Sequence, residues 1–189
     1  MRRLILFLSA TSLVLGQPKP AIVVIETELG TIEAEIATTQ APITAANFLR
    51  YVDAGLYNGG RFHRTVKPDN QPNNDVKIEV VQAGRAPGTT GFPPVLLERT
   101  SLTGLSHKDG TLSMARNGPD TAESDFSICI GDQPSLDFAG KRNPDGQGFA
   151  AFGHVVKGMD VVRRIQAAPA DAQRLTPPVR ILKITRKPR

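Results

Sequence analysis

Short runs in which apolar and polar residues alternate recur along this chain, and a period of two predicts strands. Over 21–37, Ile22 and Val24, then Ile32, Ala34 and Ile36, alternate with polar neighbours, and Leu29-Gly30 marks a turn, so a hairpin is expected. Further strands are predicted over 61–66, 77–82, 111–115, 126–130, 149–156 and 179–185, with a strand piece near 95–97. The period becomes helical twice. Over 42–54, Ala45, Phe48, Leu49 and Val52 share one face behind a first-turn proline, and Gly55 can end the helix. Over 159–167, Val162 and Ile165 point inward, and Pro169 lies beyond the end. The stretches 67–75, 84–109 and 132–148, rich in Gly, Pro, Asn or Asp, are loops. The sum is a mainly β fold: a closed eight-stranded antiparallel β-barrel capped by two α-helices, in which closure removes unpaired strand edges.

The start of the chain follows another rule. Arg2 and Arg3 precede an apolar run from Leu4 to Leu15, and Val14 and Gly16 sit where a signal peptidase wants small residues, with Gln17 following. Residues 1–16 read as a secretory signal peptide, 17–20 as a short linker and 21–189 as the folded domain. The expected destination is outside the cytosol, periplasmic or secreted, with no stable membrane insertion after cleavage. The formal net charge of +5 includes the two leading arginines, and no acid lies in 1–16, so the mature chain carries +3. Arg186, Lys187 and Arg189 form a solvated basic tail. Nucleic acid is therefore not an expected partner. The single cysteine, Cys129, excludes an intramolecular disulfide and sits in an apolar run that predicts burial.

Several chemistries find no support. Glu33 and Glu35 alternate with Ile32, Ala34 and Ile36, which assigns them to a solvated sheet face rather than to a carboxylate pair. His63, His107 and His154 lack ligand spacing, so no metal site is expected. The segment 143–148 lacks the closing Glu of a calcium loop. Ser124-Asp125 has no histidine in a triad pattern. What remains is one fixed cation in Phe62-His63-Arg64, one amide in Gln82-Ala83-Gly84, and an apolar edge in Leu112-Ser113-Met114-Ala115-Arg116. Those parts suit chemistry that breaks no bond.

These motifs, with Ala46-Asn47-Phe48, Tyr57, Ser124-Asp125-Phe126, Leu136-Asp137 and the run from Phe152 to Val162, resemble in order and spacing the cyclophilin-type peptidyl-prolyl cis/trans isomerases, and exported bacterial members in particular. The resemblance covers about 23–185. It implies the same capped barrel, rotation about the bond before proline during folding of exported proteins, no cofactor, and a monomer whose partners are Xaa-Pro-containing polypeptides and folding clients. By position, Arg64 matches the catalytic arginine and Gln82 the amide that holds it. The substrate-binding set is Phe62, His63, Val80, Ala115, Arg116, Phe126, Leu136 and Phe149, with Phe62 reaching into the core and His63 at an edge. Glu79, Asp125, Ser127 and Ser135 depart from the family pattern, and Phe149 stands where a histidine is usual. A weakened proline slot is expected. The competing function is a Pro-peptide-binding or chaperone-like module without turnover.

Overall fold

A computed structural model describes residues 21–188, so the readings of 1–16 as a signal peptide and 17–20 as a linker lie outside the described residues. The predicted hairpin forms as β1 (Ala21–Thr27) and β2 (Gly30–Ile36). Then come α1 (Pro42–Asp53), β3 (Arg61–Val66), β4 (Val80–Gly84), the one-turn helix α2 (Thr100–Thr103), β5 (Thr111–Met114), β6 (Phe126–Cys129), β7 (Ala150–Lys157), α3 (Met159–Ala167), the two-residue β8 (Ala170–Asp171) and β9 (Arg174–Arg186). The ring runs β1-β2-β7-β5-β6-β4-β3-β9 and closes by pairing of β9 with β1; β8 adds only a flap on β9. Every pairing is antiparallel.

The alternation read along β2 is the inside and outside of this barrel, but in β1 the expected face is corrected. Val23 and Ile25, opposite Ala34 and Ile32, are buried, and Ile22 and Val24 are only half-buried, because apolar residues occupy both parities there. Val23, Ile25, Ile32, Ala34, Val81, Ala83, Leu112, Phe126, Ile128, Phe152 and Ile181 fill the interior. Each fully buried large side chain contributes roughly 1.5–3 kcal/mol. Glu33 faces outward, as its parity requires, and pairs with Lys157 and Lys187. Phe48 of α1 meets Tyr57, Phe126 and Phe152 at centroid distances of 5.4, 5.3 and 5.1 Å. Val161, Val162 and Ile165 of α3 are buried. Cys129 is buried, and desolvation pushes its thiol pKa far up. The first turn of α1 lacks a side-chain cap of its own. Instead the Glu98 carboxylate accepts from the N–H groups of Ile43 and Thr44 at 3.0 and 2.7 Å, which pins the long 84–109 excursion to the helix.

Three boundaries differ from expectation. The strand predicted over 77–82 begins only at Val80. The buried Gln71 side chain takes both backbone groups of Ile78, accepting from its N–H at 3.3 Å and donating to its C=O at 2.8 Å, so this stretch is held without a ladder. The excursion contains α2, a third helix beyond the two predicted, closed by Gly104 in the left-handed conformation. The last strand starts at Arg174, because the chain folds back through β8 directly after α3.

Candidate active site

Strand parity would turn Phe62 and Arg64 to the same side of β3. A bulge prevents it. Register shifts between Phe62 and Arg64 against both β4 and β9, so Phe62 enters the core while Arg64 turns onto the outer face opposite Gln82. Three of the five guanidinium N–H groups are engaged. Nη1 donates to Gln82 Oε1 at 3.0 Å, and Nε and Nη2 donate to Gln173 Oε1 at 2.9 and 2.7 Å. Both holders are neutral amides. Partial burial pulls the Arg64 pKa below its ordinary value, an effect that does not discharge an arginine.

Arg64, Gln82, Ser127 and Ser113 stand in register across β3, β4, β6 and β5. This polar row lines a groove of about 540 Å³. Beside it lies an apolar slot. Ile78, Val80, Leu136 and Phe149 line the same groove, and they pack with Val66 and Cys129 into a small cluster separate from the main core. Glu79, expected at the slot, instead accepts from Gln166 Nε2 at 2.9 Å, and Ile78 supplies the apolar surface.

A clamp builds the slot's wall. The Arg116 side chain is 1% exposed and bonds both oxygens of Asp145, at 2.7 and 2.9 Å, and the carbonyl of Gly148. Its guanidinium stands 5.2 Å from the centroid of the Phe149 ring. The bond from Arg116, with that from the Gln147 N–H, lowers the Asp145 pKa to about 2. A second tie runs beneath the floor. His107 Nδ1 lies 2.6 Å from Asp137 Oδ1, and Nε2 lies 2.8 Å from Ser113 Oγ. The order of groups is that of a hydrolase triad, but the Ser113 residue is only 3% exposed. Because Asp137 follows Leu136, the tie fixes the loop that carries Leu136 to β5.

The structure therefore brings Arg64, Gln82, Val80, Ala115, Arg116, Leu136 and Phe149 to one groove. Phe62 keeps the core position expected of it, but as substrate-binding residues Phe62 and Phe126 are corrected: both are 0% exposed, belong to the barrel core and do not reach the groove's surface. His63 lies on the far side of Arg64, in an adjoining hollow of about 630 Å³, with Nε2 3.6 Å from Asp125 Oδ2. The Arg116 side chain is committed to the clamp rather than to the groove's contents. Sequence reasoning missed Gln173, Arg142, Ile78 and Ser113 as site residues. Ile78 shares the parity of Val80 and Gln82, and Ser113 sits inside a quoted motif, so both left a signal. Gln173 left none, standing 109 residues from Arg64 in the chain.

Comparison with known proteins identifies the family and matches the fold. The family model for cyclophilin type peptidyl-prolyl cis-trans isomerase/CLD matches residues 22–186. A peptidyl-prolyl cis-trans isomerase of Acinetobacter baylyi is 37% identical over 149 residues, covering 78% of this chain and 73% of that protein. Peptidyl-prolyl cis-trans isomerase A of Dickeya dadantii is 35% identical over 162 residues, covering 85% and 79%. Among solved structures, a cyclophilin type peptidyl-prolyl cis-trans isomerase of Cryptosporidium parvum superposes with a TM-score of 0.73 at 22% identity, over 90% of this chain and 99% of that one. The same protein in the presence of the dipeptide Ala-Pro gives a TM-score of 0.71. With a closed barrel, an outer groove and these relatives, the chain belongs to the cyclophilin-type peptidyl-prolyl cis-trans isomerases.

Proposed function

We propose that this isomerase turns Xaa-Pro bonds of exported polypeptides, with Arg64 as the catalytic group, Gln82 as its holder and the slot of Val80, Leu136 and Phe149 as the seat of the proline ring. The observation that carries this is the Arg64 fork, fixed by two neutral amides beside an apolar slot. Rotation about a peptide bond must climb about 18–20 kcal/mol, because the nitrogen lone pair is delocalised into the carbonyl. Near the top of that barrier the lone pair returns to nitrogen. A guanidinium N–H donating to it is worth more there than in the planar ground state, which is the condition for catalysis. The two uncommitted N–H groups of Arg64 are available for this. No proton leaves the protein and no cofactor takes part. Ile78 and Phe149 restore part of the slot that Ser127 leaves open, so binding is weak and turnover is retained.

The export reading rests on the apolar run from Leu4 to Leu15, and the working form is taken as a monomer. A protease-coupled assay on an Xaa-Pro peptide tests the chemistry. Arg64→Ala is expected to lower kcat/KM by about 10²–10³, the scale of losing one transition-state donor. Equal activity in that variant removes Arg64 from the mechanism. Peptide binding without cis–trans exchange would favour the module without turnover. N-terminal sequencing of the cell-produced protein tests export: a start at Gln17 supports it, and a cytosolic chain starting at Met1 overturns it.

A further inference from the structure

Arg64 shares its groove with a second guanidinium that the reaction above does not use. Arg142 lines the same wall, half-buried. Its Nη1 donates to Gln71 Oε1 at 2.7 Å and to the Val76 carbonyl at 2.6 Å. Both acceptors are neutral, as are those of Arg64. Burial, and then the charge of Arg64, depress the Arg142 pKa, so the two cations feel each other. The acids that line the groove are engaged elsewhere. Glu123 lies 3.8 Å from Arg85, and Asp125 takes contacts from Gln82 Nε2, Ser124 Oγ and His63. Among the described residues, neither Arg64 nor Arg142 has a carboxylate partner. Two like charges in a partly dehydrated groove, each held by neutral oxygens, are poised for an anion.

The topology says where that anion sits on a peptide. On the isomerase reading above, Ala115, which follows β5 on one side of the slot, is taken as the edge for the backbone before proline. Gln71 and Val76, which hold Arg142, lie in the connection from β3 to β4, on the other side. The chain leaving the proline ring therefore passes Arg142. We propose that this groove selects Xaa-Pro substrates bearing a carboxylate directly after the proline ring, recognised by Arg142 together with Arg64. This rests on the isomerase reading of the same groove. Two sources supply such a group: an acidic side chain on the next residue, or the free carboxylate of a terminal proline.

The test is exchange spectroscopy on Ala-Ala-Pro-Glu-Ala-amide against its Gln counterpart, and on Ala-Ala-Pro with a free carboxylate against its carboxamide. The wild type is expected to prefer the Glu peptide by about fivefold in kcat/KM at low salt, the scale of one partly exposed charge-assisted contact. Preference in the second pair alone assigns the chain end as the source; preference in both assigns the shared carboxylate. The ratio should shrink as salt rises from about 20 to 200 mM. Arg142→Gln should bring it within about twofold of unity, and Arg142→Lys should keep part of it. A ratio is read within one sample, so partial loss of folded protein does not change it. No preference in either pair, or an unchanged ratio in Arg142→Gln, overturns the proposal. Should no peptide be isomerised, the catalytic reading fails, and chemical-shift titration of the same peptides still decides the carboxylate preference.

Discussion

Replacing Gln173 by alanine removes the acceptor that takes two of the three bonds holding Arg64, those to Nε at 2.9 Å and Nη2 at 2.7 Å. Only the bond from Nη1 to Gln82, at 3.0 Å, remains. A buried hydrogen bond to a charged group is worth about 1.5–3 kcal/mol. Arg64 is half-exposed and water can replace a lost partner, so about 1 kcal/mol per bond is the appropriate scale. Losing two weakens the aimed rotamer by about 2 kcal/mol, or up to about 30-fold in its population. The expected result is a fall in kcat of about 10–30-fold with KM little changed, because the proline slot is untouched. Gln173→Glu separates aim from charge. It keeps the fork in place and neutralises it, and it should also slow turnover. Cis–trans exchange spectroscopy on a neutral Xaa-Pro peptide measures each variant. The decisive comparison is the double mutant: in an Arg64→Ala background, Gln173→Ala should cost less than about twofold more. A full, additive loss there would refute the argument that Gln173 acts through Arg64.

Two further outcomes follow from the slot and its wall. Phe149→Ala removes apolar surface beside Leu136 and the partner ring of Arg116; in an open groove that is worth about 1–2 kcal/mol. It should raise the peptide Kd about 5–30-fold with kcat kept within about threefold, as read by titration and exchange in the same samples. Asp145 has a folded pKa of about 2 against an ordinary 3.8, chiefly through Arg116. A depressed carboxylate pKa stabilises the fold above the ordinary value, and that stabilisation is lost as pH falls from about 4 to about 2. Urea midpoints over this interval should fall less steeply in Asp145→Asn than in the wild type; parallel curves would show that the clamp adds no stability.

The residues that were legible in sequence are those whose role follows from local period. The inward face of β2, the inward faces of α1 and α3, the outward Glu33 and the burial of Cys129 all follow from alternation or helical spacing, which one segment encodes by itself; in β1, apolar at both parities, alternation picked Ile22 and Val24 where closure buries Val23 and Ile25. The motif resemblance placed Arg64, Gln82, Leu136 and Phe149 near each other because their order in the chain carried that information. Period failed where a side chain elsewhere took over the backbone. Gln71 holds Ile78 off the ladder, and parity cannot announce it.

What alternation by itself determined is a barrel with a defined inside, since the face of each residue in a strand is set by counting. Tertiary closure decided the rest. The bulge at His63 turns Arg64 out of the core, where strict counting would have buried it. Ring closure brings Gln173 to its guanidinium across 109 residues, and the loop over 132–148 sets Arg142 in the same groove. These are meetings between distant segments. Their energies depend on the shape of the closed sheet, and no local stretch of sequence contains that shape.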